Sequence, residues 1–126
     1  MEKSDLNIIE WQKLHNEVRE KLVYQAKTNQ AISYGELCKA ITTRKLKPTD
    51  EALHDILGEV SAEEFKKGNG LLSVFCGSKN DNLMPGDGFF KLAYNLGIYI
   101  GNKETFVKQE RDKLHQKFRD PSLLTF

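Results

Sequence analysis

The sequence predicts an α-rich α+β domain with a small β element, flanked by long N- and C-terminal helices. Three observations predict it. Apolar residues recur at intervals of three and four through most of the chain, the period of a helix with one buried face. Capping-box spacings mark several helix starts. One short segment, residues 71–76, has the apolar, β-compatible composition of a strand between glycines. With 126 residues, 39% of them hydrophobic and 29% charged, the chain is expected to build one soluble domain over 1–126. Residues 1–30 read as the N-terminal helix, 31–100 as the centre, and 101–126 as the C-terminal helix and tail.

In the first helix Asn7 and Glu10 have capping-box spacing, and Trp11, Leu14, Val18, Leu22 and Ala26 follow on one face. At that spacing Trp11 reads as a packing residue rather than a ligand platform. Ser33-Tyr34-Gly35-Glu36 opens a second helix carrying Leu37, Cys38, Ala40 and Ile41, with Cys38 behaving as a small buried hydrophobe. Residues 42–48 read as a basic connection, since the residue before Pro48 avoids the helical region. A third helix begins near Thr49 or Asp50, with Ala52, Leu53, Ile56, Leu57 and Val60 inward. Gly58 in its middle costs about 1 kcal/mol relative to Ala and suggests close packing or a bend. Ser61 and Glu64 repeat the capping-box spacing, so a short additional helix is expected to start there and end at Gly68.

After the strand, Pro85-Gly86-Asp87-Gly88 is a strong turn signal. Residues 89–96 fit a helix better than a return strand, with Gly97 placed to stop it. Ile98-Tyr99-Ile100 has the composition of a short strand. The last helix is capped by Asn102, carries Phe106, Val107, Leu114 and Phe118 on its apolar face, and ends before Pro121. Two helices joined by residues 42–49 make a helix-turn-helix-like pair. With the strand and turn behind it, the centre is winged-helix-like.

Charge is unevenly placed. The net charge is only +1, yet residues 31–49 carry a net +3 and residues 50–64 a net −6. The surface expected to meet a partner is therefore Arg44, Lys45 and Lys47, with Glu51, Asp55 and Glu59 across from them. A helix offering three carboxylates opposes a polyanion, so a protein partner is favoured and nucleic acid is the alternative. His15, His54 and His115 fall on different helices, with no second histidine at i+3 or i+4. No phosphate loop, nucleophile elbow or metal motif is present, so no catalytic residue, cofactor or metal is expected. Glu63, Glu64 and Ser73 can be read as a polar pocket, or more simply as a helix cap and an alternating strand residue. Apolar runs of two to four residues are far short of a membrane span, and residues 1–5 do not lead into an apolar stretch. No membrane partner is expected, and two cysteines without ligand spacing point to the cytoplasm.

Several separated motifs occur together in one order: Ile32-Ser33-Tyr34-Gly35-Glu36-Leu37, Leu57-Gly58-Glu59-Val60-Ser61-Ala62-Glu63-Glu64, Gly68, Leu71-Leu72-Ser73, Pro85-Gly86-Asp87-Gly88-Phe89-Phe90 and Leu92-Ala93. Phe106, Glu110 and Leu114 are compatible with the same pattern. On these motifs residues 31–118 resemble a family of small bacterial proteins of unknown function. The chain departs from that family's pattern at Asn69-Gly70 and at Phe75-Cys76. The first motif and the following Leu57-Gly58 helix are also similar to the winged-helix portion of alkylguanine-DNA alkyltransferases. Those enzymes use Pro-Cys-His-Arg, whereas this chain has Phe75-Cys76-Gly77-Ser78, with no base beside the cysteine. The reading is a non-catalytic interaction module, of immunity or regulatory type, with winged-helix-like nucleic-acid binding as the alternative.

Overall fold

A computed structural model describes residues 7–119. The expected stop at Pro121 and the reading of residues 1–5 lie outside them. The described chain contains helices α1 (Ile8–Thr28), α2 (Tyr34–Ala40), α3 (Glu51–Lys66), α4 (Asp87–Asn95) and α5 (Lys103–Phe118). Two short strands, β1 (Ile32–Ser33) and β2 (Cys76–Gly77), pair in parallel, Ile32 opposite Cys76 and Ser33 opposite Gly77. The domain is therefore α-rich α+β.

Local sequence accounts for most helix starts. Asn7 accepts from the Glu10 amide at 2.7 Å, and the Glu10 carboxylate reaches back to the Asn7 amide, completing the capping box. Ser33 and Asn102 accept from the amides of Glu36 and Thr105 at 3.1 and 2.9 Å. The expected apolar face of α1 is buried as a set: Trp11, Leu14, Val18, Leu22 and Ala26. Cys38 is buried as well.

Ser61 and Glu64 do not start a new helix. The α3 helix runs through them to Lys66, because both side chains point inward to tertiary partners. The Ser61 hydroxyl receives the Ser73 amide at 2.8 Å and donates to the Ser73 hydroxyl. The fully buried Glu64 carboxylate accepts from Arg19 Nε at 2.7 Å and from Asn69 Nδ2 at 2.9 Å. The α3 helix then ends as expected at Gly68: its amide donates to Phe65, and the Asn69 amide donates to Glu64, the paired pattern of a Schellman stop.

The strand expected over residues 71–76 is also different. Leu72–Phe75 is a turn of 3₁₀ helix, and only Cys76–Gly77 is extended. This segment lies in the core with α1, α3 and α5 packed around it, and Leu71, Leu72, Val74 and Phe75 have no exposed surface. Side chains take over the hydrogen bonds a strand ladder would supply. The Leu71 amide donates to Glu110 at 2.6 Å, the Ser73 amide to Ser61, and the Val74 carbonyl accepts from Arg111 at 2.9 Å. Residues 98–100 form no strand either. The Ile98 amide is engaged with the Ala93 carbonyl in a second Schellman stop, with Gly97 at φ +81°.

The Pro85-Gly86-Asp87-Gly88 turn is itself a helix start: Gly86 is the N-cap of α4, and Asp87 and Gly88 already lie in its first turn. The loop before it closes tightly. Ser78 pairs antiparallel with Met84, and Asn82 and Leu83 both adopt left-handed backbone, with φ of 51° and 61°. Gly77 lies directly beneath, where an added Cβ would sit 2.0 Å from the Leu83 carbonyl oxygen. Arg111 fixes the loop from α5, its Nη2 donating to Leu83 O at 2.7 Å.

Candidate functional site

A cleft of about 220 Å³ opens between α3 and the start of α4. Tyr34 comes from the first turn of α2, and His54, Leu57 and Gly58 from successive turns of α3. Ser73 and Cys76 line it from the buried segment before the loop, and Leu57, Pro85 and Phe89 are buried as well. Pro85, Gly86, Asp87, Gly88, Phe89 and Leu92 form the side belonging to α4 and its approach. Motifs that are separate along the sequence thus converge on one place. Of the lining residues only His54 and Cys76 lie outside the quoted motifs.

Gly58 has the main surprise. Close packing does not explain it, since a Cβ built there would meet no atom within 4 Å, and the helix continues unbroken through it. The same is true of Gly88 in α4. Neither residue occupies a backbone conformation that requires glycine. Both line the cleft, and a Cβ at either would meet open space.

The polar groups are fixed by their neighbours. The Tyr34 hydroxyl accepts from the Gly86 amide at 2.9 Å, which ties α2 to the cap of α4 and leaves the phenolic hydrogen available to donate. Burial pushes the Tyr34 phenol up, the Gly86 hydrogen bond opposing only in part, so it is neutral at physiological pH. The Tyr34 and His54 rings pack with centroids 5.2 Å apart. His54 Nε2 is 2.7 Å from the Pro48 carbonyl. A carbonyl only accepts, so this nitrogen carries a hydrogen and donates it. Asp87 is exposed in the first turn of α4, where the helix dipole favours a carboxylate. No lysine or arginine lines the cleft.

Cys76 is 1% exposed, and burial pushes its thiol far up, with nearby Cys38 acting in the same direction and Arg111 against it. It stays a protonated thiol, the opposite of an activated nucleophile. The Ser73 hydroxyl is engaged with Ser61 beneath the surface.

Arg44, Lys45 and Lys47 are exposed together on the loop between α2 and α3. That loop is held at its base by Glu17 of α1, which accepts from the Thr42 hydroxyl and from the Thr42 and Thr43 amides, both at 2.8 Å. Farther along, the Lys47 amide donates to Asp50 at 2.8 Å. Glu51 and Asp55 are exposed on the first turns of α3, near this loop. Glu59 lies roughly 12 Å along the helix from Glu51, at 1.5 Å per residue. It is half-buried against α1, accepting from Trp11 Nε1 at 3.2 Å. Of the acidic run over residues 50–64, Glu59 and Glu64 are thus turned toward α1. Glu63 is half exposed.

Sequence reasoning singled out Gly58 and the Pro-Gly-Asp-Gly motif separately, without joining them into a cleft. The available signal was Gly58, a glycine at a helical position with no turn to serve; Gly88 read as part of a turn. No family model, curated protein or solved structure matches this chain. No described helix is long and apolar enough to cross a membrane.

Proposed function

We propose that this chain is a non-catalytic interaction module, in which the cleft between α3 and α4 receives one apolar side chain from a protein partner. The observation that carries the reading is the pair of helical glycines, Gly58 and Gly88, whose missing side chains leave the cleft open. Its volume of about 220 Å³ is below the roughly 300–1,000 Å³ of sites that enclose a drug-sized ligand, and it suits a single large side chain. The walls supply an aromatic contact from Phe89, a donor from Tyr34 and one carboxylate, Asp87. That set favours an apolar anchor with a lysine or arginine beside it, and disfavours an anionic ligand. An immunity-type or regulatory protein would act by recognition of this kind.

The test is selection from a displayed peptide library, followed by binding of the selected peptides to wild type and to Gly58→Leu. Expected are sequences that share an apolar anchor next to a basic residue and lose at least tenfold in affinity against Gly58→Leu. Peptides that bind both proteins equally would remove the cleft from the account.

A second reading rests on the loop carrying Arg44, Lys45 and Lys47. With Glu59 and Glu64 turned toward α1, fewer carboxylates accompany that loop than the sequence suggests. As a winged-helix-like nucleic-acid binder, the chain would use α2 and α3 as the helical pair and residues 78–84 as the wing. Electrophoretic shifts with mixed DNA and RNA at low salt separate the readings. Binding weakened by salt and by alanine at Arg44, Lys45 and Lys47 would promote nucleic acid over protein.

A further inference from the structure

Beside the apolar faces that α1 and α3 bury, a row of polar contacts joins the two helices. Trp11, His15 and Arg19, one turn apart along α1, face Glu59, Glu63 and Glu64 of α3. Arg19 is engaged with Glu64, and the Trp11 indole with Glu59. Between them lies His15, whose side chain is 13% exposed and whose Nε2 atom is closed off from solvent and makes no hydrogen bond. That nitrogen is 3.2 Å from Glu63 Oε1 and 3.9 Å from Glu59 Oε1, in directions that do not form a hydrogen bond. A buried polar atom left in this way costs free energy unless something pairs with it.

We propose that His15, Glu59 and Glu63 form a binding site for a divalent transition-metal cation, with zinc or manganese the fitting class. One imidazole and two carboxylates are the ligand set these borderline ions accept, and the two charges suit a dication. The ligand atoms all lie within 4.8 Å of one another. A tetrahedral ion with bonds of about 2.1 Å separates its ligands by about 3.4 Å, and the two histidine–carboxylate distances fall on either side of that value. Glu59 and Glu63 are spaced i, i+4, so both project from one face of α3 toward a ligand on the neighbouring helix. Trp11 Nε1 donates to both oxygens of Glu59, at 3.3 and 3.2 Å, the kind of outer hydrogen bond that orients a metal-bound carboxylate. Glu63 is half exposed, which gives the ion an entry path and a solvent-facing coordination position.

Trp11 is the single tryptophan of the chain and reports on the site directly. The experiment treats the protein with EDTA, removes the chelator, and titrates zinc chloride and manganese chloride separately. Indole fluorescence and isothermal titration calorimetry follow binding, with magnesium chloride as control. Expected is saturable 1:1 binding of zinc or manganese, with magnesium at least a hundredfold weaker. Glu63→Gln, at a half-exposed position that does not endanger folding, should lose at least tenfold in affinity, and His15→Gln should lose at least a hundredfold. Trp11→Phe, followed by calorimetry, should weaken binding by about tenfold. No saturable binding below 1 mM, or equal affinity in wild type, Glu63→Gln and His15→Gln, would overturn the proposal and leave a plain histidine–carboxylate contact.

Discussion

Replacing Glu17 by Gln keeps the shape of the side chain and removes the charge that holds the base of the basic loop. Burial alone would raise the Glu17 pKa, but the hydrogen bonds from Thr42 and Thr43 outweigh it and bring the carboxyl from 4.5 to about 2. A depression of that size corresponds to about 3 kcal/mol by linkage, at 1.36 kcal/mol per pKa unit. The carboxylate is partly in contact with water, and solvent screening lowers the expected contribution to about 1–2 kcal/mol. The group is depressed in the folded state, so its contribution is fully present above about pH 4.5. It is lost as pH falls through the folded value near 2. Urea unfolding of wild type and Glu17→Gln, in steps from pH 7 to pH 2, measures this directly. The variant should be less stable by about 1–2 kcal/mol at pH 7, and the gap should narrow between pH 4.5 and 2. A gap that stays constant across that window would refute the reasoning, since the loss would then not come from the charge. Losing the anchor should also increase amide exchange over residues 42–47, the segment on which the nucleic-acid reading depends.

Three further outcomes follow from the geometry. Gly77→Ala should destabilise by at least about 3 kcal/mol, because the new Cβ would fall 2.0 Å from the Leu83 carbonyl in a loop whose two left-handed residues cannot easily yield; the loss is read from thermal melts. Gly58→Ala should stabilise by about 0.5–1 kcal/mol, a few degrees in Tm, since its Cβ meets nothing and the helix gains propensity. A lower Tm for that variant would mean the cleft closes over Gly58 in solution. Both thiols should resist a disulfide-exchange reagent at pH 8 in the native state and react at once in denaturant, because burial raises Cys38 and Cys76 alike. Fast native labelling of Cys76 would reopen the question of a reactive cysteine.

The elements read correctly from sequence are those whose reasons are local. Asn7, Ser33 and Asn102 cap helices because each side chain reaches an amide three residues on, and Gly68 and Gly97 end helices by adopting left-handed backbone. The apolar faces of α1 and α3 follow from periodicity alone. The misread elements carry equally good local signals, overruled by partners far along the chain. Ser61 and Glu64 have the spacing of a cap, yet Ser73 and Arg19 draw both side chains inward. Residues 71–76 have the composition of a strand, but only Cys76 pairs with one, and Ser61, Glu110 and Arg111 supply hydrogen bonds to the backbone of Leu71, Ser73 and Val74 instead.

The candidate sites divide along the same line. Sequence could identify the basic loop, because charge counts are local. It could not bring Gly58 to Gly88, or His15 to Glu59 and Glu63, since those meetings arise only when α4 and α1 pack against α3. The composition and periodicity of this chain determined five helices' worth of buried faces and most of the points where helices begin and end. Which polar groups turn inward, and which empty spaces remain, was decided by packing, because a buried hydrogen bond or an open cleft is a relation between segments rather than a property of either one.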